Sequence, residues 1–229
     1  MVYKKYIVVG YKPWSEMIFN NVLKKYEGMW YYISKKNNLD VEKIRSINPK
    51  YIIFLHWSWK IPSEIYTNYD CICFHMTDVP YGRGGSPLQN LIIRGHKSTM
   101  LTALKMVEKF DAGPVYLKEK LELKGTAEEI FVRGAYIAAD MIKYIIEKNP
   151  LPVPQDGEIV VFKRRKPSQS RIIAINGLED LYDFIRMLDA PGYPKAFFIQ
   201  DGFKFELSKA KLKKDKLIAE LVVTSINEE

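Results

Sequence analysis

The chain has 229 residues, 47% of them hydrophobic and 27% charged, a composition typical of one large globular domain or of a domain with a small appendage. No apolar run reaches the roughly 18 residues of a membrane-spanning helix, and the start lacks the long apolar stretch of a signal peptide. The net charge of +8 favours anionic partners such as nucleotides, phosphorylated metabolites or nucleic acid, although a lysine-rich solvated surface would give the same charge. Cys71 and Cys73 are too close on a predicted strand to pair easily, which predicts a reducing, cytoplasmic location.

The first half of the chain alternates apolar runs with amphipathic segments. Continuous apolar strands that alternate with helices predict a parallel sheet covered on both faces. Ser15 and Asp40 stand where helix N-caps are expected. The predicted strands are 6–10, 29–34, 51–57 and 71–75, and the predicted helical segments are 16–26, 39–48 and 62–66.

The second half begins with the longest predicted helix, 126–148, whose Thr126 and Glu129 form a capping-box pattern. The proline-rich segment "NPLPVPQDGE" then predicts a connector. After it come one helix, 177–189, and the strand-like pieces "KAFFIQ", "FKFELS" and "LIAELVVTSI". The predicted fold is α/β: a Rossmann-like, doubly wound, mostly parallel sheet over residues 1–155, with a small C-terminal subdomain of mixed α and β structure over residues 156–229.

Three polar segments follow apolar runs and are candidates for a site. They are "HWSWKIP" (56–62), "HMTDVPYGRGGSP" (75–87) and "KFDAGP" (109–114). In a doubly wound sheet, ligands bind outside the carboxyl ends of the strands. We therefore expect the three loops to leave one edge of the sheet and to converge on one cleft.

His75 and Asp111 are the candidate acid–base groups of that cleft. Histidine gains and loses a proton near neutral pH, and a carboxylate can orient it and balance its charge. Each residue also has a simpler explanation, because a strand-end histidine is often a structural hydrogen-bonding group and Asp-Ala-Gly is a common turn.

The glycine-rich loop around Arg83 has two interpretations. It is either a flexible connection or a bare backbone that approaches an anion, with the guanidinium binding phosphate. A zinc site formed by Cys71, Cys73 and His75 is a further alternative, since alternate residues share one face of a strand. No fourth cysteine or nearby CxxC pair supports it.

Taken together, these segments resemble the formyltransferase family that uses N10-formyltetrahydrofolate. The family's core motif runs Asn-x-His, Leu-Pro, an Arg-Gly turn and a proline, then Asp-x-Gly; the matching segments are "CFH", "DVP", "YGRGGSP" and "DAGP". The segments "FLHWSWKIP" and "IRMLDAPGYPKAFF" are similar to the family's folate loop and to the start of its C-terminal part. One position departs from the pattern, because Cys73 stands where the family has its catalytic Asn.

The resemblance implies a role for each matching residue. His75 would polarise the formyl oxygen or carry the proton, Asp111 would orient His75, and Cys73 would border the reaction centre. No metal is needed, and N10-formyltetrahydrofolate is the expected co-substrate. The positions expected to bind folate are Trp59, Lys60, Ile61, Val107 and Glu108, and those expected to bind the acceptor are Arg83, Gly84, Gly85 and Ser86.

Within the family, "PYGRGGSPLQN" is most similar to the N-formyltransferases of amino-sugar nucleotides, including those of pseudaminic acid pathways. The resemblance therefore implies a nucleotide-linked amino sugar as acceptor, no membrane partner and a possible homodimer, with nucleic acid an improbable partner. The alternatives are a methionyl-tRNA formyltransferase-like enzyme, purine-pathway formyl transfer and a non-catalytic member. The tRNA enzymes of the family usually have a full C-terminal barrel that 229 residues scarcely accommodate, but the basic run "KRRK" (163–166) is of the kind that binds phosphate backbones.

Overall fold

The computed structural model describes residues 4–226. Its strands and helices alternate through the first half of the chain, as the apolar pattern predicts. Within the described residues, no helix is long and apolar enough to cross a membrane. The strands are β1 (Lys5–Val9), β2 (Met29–Ile33), β3 (Tyr51–Phe54), β4 (Cys71–His75), β5 (Tyr81–Gly84), β6 (Ser98–Lys105), β7 (Val115–Glu122), β8 (Val160–Phe162), β9 (Ala196–Gln200), β10 (Phe203–Leu212) and β11 (Leu217–Ser225). The helices are α1 (Pro13–Asn21), α2 (Val41–Ile47), α3 (Ser63–Asn68), α4 (Pro87–Ile93), α5 (Ala127–Lys148) and α6 (Leu178–Arg186).

The described chain divides into two compact units. The first unit comprises residues 4–84, 99–121 and 131–161, and the second comprises residues 85–98, 122–130 and 162–226. The division predicted between residues 155 and 156 stays a prediction.

The first unit is built on a six-stranded sheet with the order β2-β1-β3-β4-β6-β7. β1 pairs in parallel with β2 and with β3, and β3 pairs in parallel with β4. The order reverses at β1, which makes the sheet doubly wound and confirms the predicted fold class. Ile7, Val8, Ile52 and Ile53 are fully buried, as expected of strands covered on both faces.

The second unit contains an antiparallel sheet with the order β11-β10-β9, together with α6. Its three strands coincide with the three predicted strand-like pieces. These three strand predictions are therefore confirmed.

Two predicted helix caps are confirmed and one is wrong. Asp40 accepts a hydrogen bond from the Lys43 amide at 2.8 Å. Thr126 and Glu129 bond each other's backbone amides reciprocally, which completes the capping box of α5. Ser15 lies inside α1 and donates its hydroxyl to the Leu55 carbonyl at 2.9 Å. The helix begins instead at Pro13, whose ring removes one of the amides that a cap would satisfy.

Candidate active site

His75 is the last residue of β4, and its side chain is held by the glycine-rich loop that follows. The ring is buried, with 7% of the residue exposed, and Nε2 lies 2.8 Å from the Gly82 carbonyl oxygen. A carbonyl oxygen can only accept, so Nε2 carries the hydrogen in this bond. The same carbonyl accepts the Thr77 hydroxyl at 3.2 Å. This arrangement leaves Nδ1 as the nitrogen available for proton exchange.

Nδ1 of His75 faces Asp111, with 3.5 Å between Nδ1 and Oδ1. When neither Nδ1 nor Oδ1 carries a proton, their lone pairs repel each other. One proton between the two atoms makes the contact attractive. The distance is longer than a good hydrogen bond, as is common for catalytic contacts before substrate binds. The geometry therefore suits a pair that holds one proton and passes it on.

The glycine-rich loop also holds the Asp111 side chain. Gly82 and Gly84 have φ angles of 77° and 101°, in the left-handed region that glycine enters without cost. The Gly84 amide donates to Asp111 Oδ2 at 2.9 Å. The glycines thus aim one carbonyl at His75 and one amide at Asp111.

The loop that carries Asp111 reaches His75 by a path that differs from the prediction. β6 is antiparallel to β4, with Lys105 opposite Ile72, so β6 ends beside the beginning of β4. The prediction that this loop leaves the same sheet edge as the other two is therefore wrong. The loop turns back instead, and the Met106 amide bonds the Cys71 carbonyl at 2.8 Å at its start.

The Asp-Ala-Gly turn has strict steric requirements. Asp111 has a φ of 53°, a left-handed conformation that costs a non-glycine residue about 1–2 kcal/mol. A Cβ on Gly113 would lie 1.7 Å from the Lys105 carbonyl oxygen, so no other residue fits there without moving the backbone. These contacts give a physical reason for the glycine of the Asp-x-Gly pattern.

Cys73 lies on β4 two residues before His75, so the two side chains share a face of the strand. The thiol packs with the buried side chains of Val79, Leu104 and Val115. Burial raises the pKa of Cys73, and the nearby Asp111 charge raises it further. The sulfur is therefore a neutral thiol, which is a poor nucleophile and a weak hydrogen-bond donor.

The zinc alternative has no ligand set in the structure. Cys71 is buried, and burial is the main cause that raises its pKa to about 12. Among residues 4–226, no group of three His, Cys, Asp or Glu residues could hold a metal ion.

Arg83, predicted to bind the acceptor, has a protein partner in the structure. Only 8% of the residue is exposed, and its Nε and Nη2 atoms donate to Gln155 Oε1 at 3.0 and 2.7 Å. Gln155 Nε2 in turn donates to the carbonyls of Asp111 and Gly113 at 2.8 and 2.7 Å. Sequence reasoning missed Gln155, because it lies in the connector "NPLPVPQDGE" and nothing local distinguishes it.

Gly85 and Ser86, the other predicted acceptor residues beside Gly84, belong to the second unit. A Cβ on Gly85 would lie 2.4 Å from the Arg164 Cβ, so glycine is needed for this close approach. Ser86 Oγ accepts from the Arg165 amide at 3.0 Å. Both residues thus make contacts within their own unit that account for their identities.

The predicted folate positions differ in exposure. Trp59, Lys60, Val107 and Glu108 are exposed, while Ile61 is buried in the core cluster of the first unit. Trp59 lies against Tyr11 and Trp57, with ring centroids 4.4 and 4.7 Å apart. The Trp57 indole Nε1 is buried and has no hydrogen-bond partner among the described residues. A buried donor without a partner fits a loop that binds a polar heterocycle such as folate.

A comparison with a solved structure decides the family. The structure described as "Methionyl-tRNA formyltransferase from Clostridium thermocellum" is 45% identical, with a TM-score of 0.91, and the match covers 97% of this chain and 99% of that chain. The chain belongs to the formyltransferase family. A family model described as "Methionyl-tRNA formyltransferase, C-terminal domain" also matches residues 167–224.

Curated relatives give a consistent result over part of their length. The methionyl-tRNA formyltransferase of Bacillus velezensis is 28% identical over 172 residues, which are 71% of this chain and 54% of the relative. That of Bacillus cytotoxicus is 30% identical over 159 residues, which are 66% of this chain and 51% of the relative. The chain thus spans about half the length of these relatives. N10-formyltetrahydrofolate, the predicted co-substrate, is the formyl donor of this family.

The predicted amino-sugar nucleotide acceptor is wrong. A "4-N formyltransferase from Francisella tularensis" is only 17% identical, with a TM-score of 0.67 and coverage of 86% of this chain and 93% of that chain, a likeness that shows the fold alone. The length argument against a tRNA enzyme fails as well, because the Clostridium thermocellum chain is matched over 99% of its length. The glycine-rich segment that suggested a sugar acceptor has an explanation within the fold, in the contacts of Gly84 and Gly85.

Proposed function

We propose that this chain transfers the formyl group of N10-formyltetrahydrofolate to the amino group of methionine attached to its tRNA. The observation that carries the proposal is the match to the Clostridium thermocellum protein, 45% identical over nearly the whole of both chains. The match of residues 167–224 to the C-terminal family model supports the same acceptor. The cytoplasmic location predicted from the two cysteines remains part of the proposal.

The His75–Asp111 pair supplies the proton transfers that this reaction needs. The attacking amine must lose a proton, and N10 of the folate must gain one as it leaves. With Nε2–H held by Gly82, His75 uses Nδ1 to exchange a proton, and Asp111 stabilises the ring when it is charged. The pair accepts the amine's proton and returns it to the leaving nitrogen, so no proton is gained or lost by the enzyme.

The developing negative charge on the formyl oxygen needs a hydrogen-bond donor. The family's amide is absent at this position, and the neutral thiol of Cys73 is a weak donor. We therefore assign the stabilisation of the oxyanion to the Nδ1–H of His75 that forms when the ring takes the amine's proton.

Basic residues of the second unit suit a phosphate backbone. Lys163, Arg164 and Lys166 are exposed, and Arg171 follows them without an intervening acidic residue. Arg165 is occupied within the unit, since it bonds the Gln169 carbonyl and stacks on Phe184. The three exposed cations of the "KRRK" run thus support a nucleic-acid acceptor, whose binding should weaken with salt.

The test compares acceptors directly. The purified chain is incubated with N10-formyltetrahydrofolate and with methionyl-tRNA, free methionine or a panel of amino-sugar nucleotides, and each product is examined by mass spectrometry for the mass of one added formyl group. We expect formylation of methionyl-tRNA alone. Formylation of an amino-sugar nucleotide but not of methionyl-tRNA would contradict the proposal.

A further inference from the structure

Gln155 joins the two loops that make the candidate active site. Its Oε1 accepts both the Nε and Nη2 hydrogens of Arg83, and its Nε2 donates to the carbonyls of Asp111 and Gly113. The orientation of the amide is fixed by these partners, because a guanidinium only donates and a carbonyl only accepts. One side chain of the connector therefore links β5 to the turn that carries Asp111.

The carbonyls that Gln155 holds are those of a strained turn. Asp111 is left-handed, and Gly113 lies directly against the Lys105 carbonyl. A strained backbone persists only where surrounding contacts hold it. The two amide hydrogens of Gln155 bond the carbonyls of Asp111 and Gly113, on the two sides of Ala112, and so fix the direction in which the Asp111 side chain leaves the backbone.

Two adjacent residues of β5 hold Asp111 by different routes. The Gly84 amide bonds the Asp111 carboxylate directly, whereas Arg83 holds the Asp111 backbone through Gln155. The carboxylate is thereby constrained at both its side chain and its main chain. Its Oδ1 faces His75 Nδ1 as a result.

We infer that Gln155 is a positioning residue for the His75–Asp111 pair, and that Arg83 acts with it rather than on the acceptor. This inference rests on the proposed function, since it concerns the same site. A misplacement of about 1 Å at such a pair is enough to lower the rate strongly. Gln155 touches neither reacting group, so its whole effect should pass through Asp111.

A double-mutant cycle tests this route. We expect Gln155→Leu, which keeps the size of the side chain, to lower the formylation rate at least about tenfold in the wild-type background. In an Asp111→Asn background, the same change should lower the rate less than about twofold, because the carboxylate that Gln155 positions is already gone. An equal loss in both backgrounds would overturn the inference.

Gln89 provides a matched control. Its amide, like that of Gln155, donates to a backbone carbonyl, that of Met187 at 3.0 Å, but Gln89 belongs to the second unit. Gln89→Leu should change the rate less than about twofold in both backgrounds. A loss as large as that of Gln155→Leu would show that removing any hydrogen-bonded glutamine amide has this effect, and would overturn the inference.

Gln155→Glu is the second variant, used if Gln155→Leu does not fold. A carboxylate still accepts from Arg83 but cannot donate to the two carbonyls, so the same loss is expected. Wild-type activity in Gln155→Glu would overturn the inference. A failure of both variants to fold would overturn it too, because Gln155 would then be needed for folding rather than for positioning.

A spectroscopic measurement separates this inference from the proposed acceptor. The chain has three histidines, so the ring nitrogen signals of His75 can be assigned by NMR with a His75→Asn variant. Gln155→Leu should shift the Nδ1 signal of His75 in the same direction as Asp111→Asn does, and Gln89→Leu should leave it unchanged. An unchanged His75 signal in Gln155→Leu would overturn the inference, whichever amine proves to be the formyl acceptor.

Discussion

Two histidines lie at the ends of neighbouring strands of the same sheet, and their surroundings differ in the polar groups that contact the ring. His56 comes just after β3 and makes T-shaped contacts with the rings of Trp14 and Phe131, which stack on each other, with centroids 5.3 and 5.1 Å from the His56 ring. Burial lowers the pKa of His56 to about 3, so the ring is neutral. His75 ends β4 and lies between a carbonyl and a carboxylate. A position at a strand end therefore does not by itself make a histidine reactive. Its reactivity depends on the polar groups that the following loops bring to the ring.

The same substitution at both histidines tests this difference. Asparagine is chosen because it tolerates the left-handed φ of 55° at His56. We expect His75→Asn to lower kcat by about 10²-fold or more, because general acid–base groups contribute that much, and His56→Asn to lower it less than about tenfold. Steady-state formylation kinetics at saturating substrates would check this. Equal losses would mean that His75 is no more reactive than His56.

Gly113→Ala should displace Asp111 from His75 without changing the histidine itself. The new Cβ would meet the Lys105 carbonyl, so the Asp111 turn must move. We expect a rate loss of at least about tenfold and a destabilisation of about 1–3 kcal/mol, as for other overpacked sites. Gly177→Ala is the control, because a Cβ there meets nothing within 4 Å. A Gly113→Ala enzyme with normal activity and unfolding midpoint would show that the turn does not position Asp111.

His56 should affect the pH dependence of folding stability rather than the rate of the reaction. The pKa of His56 is lowered from its unfolded value of about 6.5 to about 3, so the unfolded chain binds a proton that the folded chain does not. This group contributes no pH dependence above about pH 6.5 and destabilises the fold progressively as the pH falls towards 3. His56→Asn should therefore lose less unfolding free energy between pH 7 and pH 4.5 than the wild type does, in urea titrations. If both proteins lost the same unfolding free energy between pH 7 and pH 4.5, the assignment would be contradicted.

Cys73 should show the smallest effect, although it shares a strand face with His75. Its thiol is neutral and packed against apolar side chains. We expect Cys73→Ala to change kcat less than about threefold, a cost below roughly 0.7 kcal/mol. A loss of about 10²-fold with an intact fold by circular dichroism would show that the thiol is a donor in the reaction.

The sequence predicts β1–β4, β9–β11 and the caps of α2 and α5 because local patterns encode them. Apolar runs mark buried strands, and Asp40 and Thr126 bond backbone amides only three residues away. The direction of β6 is not encoded in this way, because an apolar run has the same composition in a parallel and an antiparallel strand. The prediction about the sheet edge failed for that reason.

Part of the geometry of the candidate site can be predicted from the sequence. Residue type singles out His75 and Asp111, and the two side chains are adjacent in the structure. Gln155 was missed because its contacts reach 42 to 72 residues along the chain, and no local pattern reports them. The glycines after Pro80 suggested an acceptor site, yet Gly84 bonds Asp111 and Gly85 makes room for Arg164. A glycine-rich sequence shows that the backbone passes close to something, but not whether that is a ligand or the protein itself.

The central claim is that His75 and Asp111 act as one unit in formyl transfer to methionyl-tRNA. Its most direct test is the single-turnover rate of methionyl-tRNA formylation by the wild type, His75→Asn, Asp111→Asn and the double variant. Each single variant should lose about 10²-fold or more, and the double variant should be little slower than either, because groups that share one proton are not additive. A rate loss in the double variant equal to the product of the two single losses would contradict the account. Near-wild-type turnover in either single variant would contradict it as well.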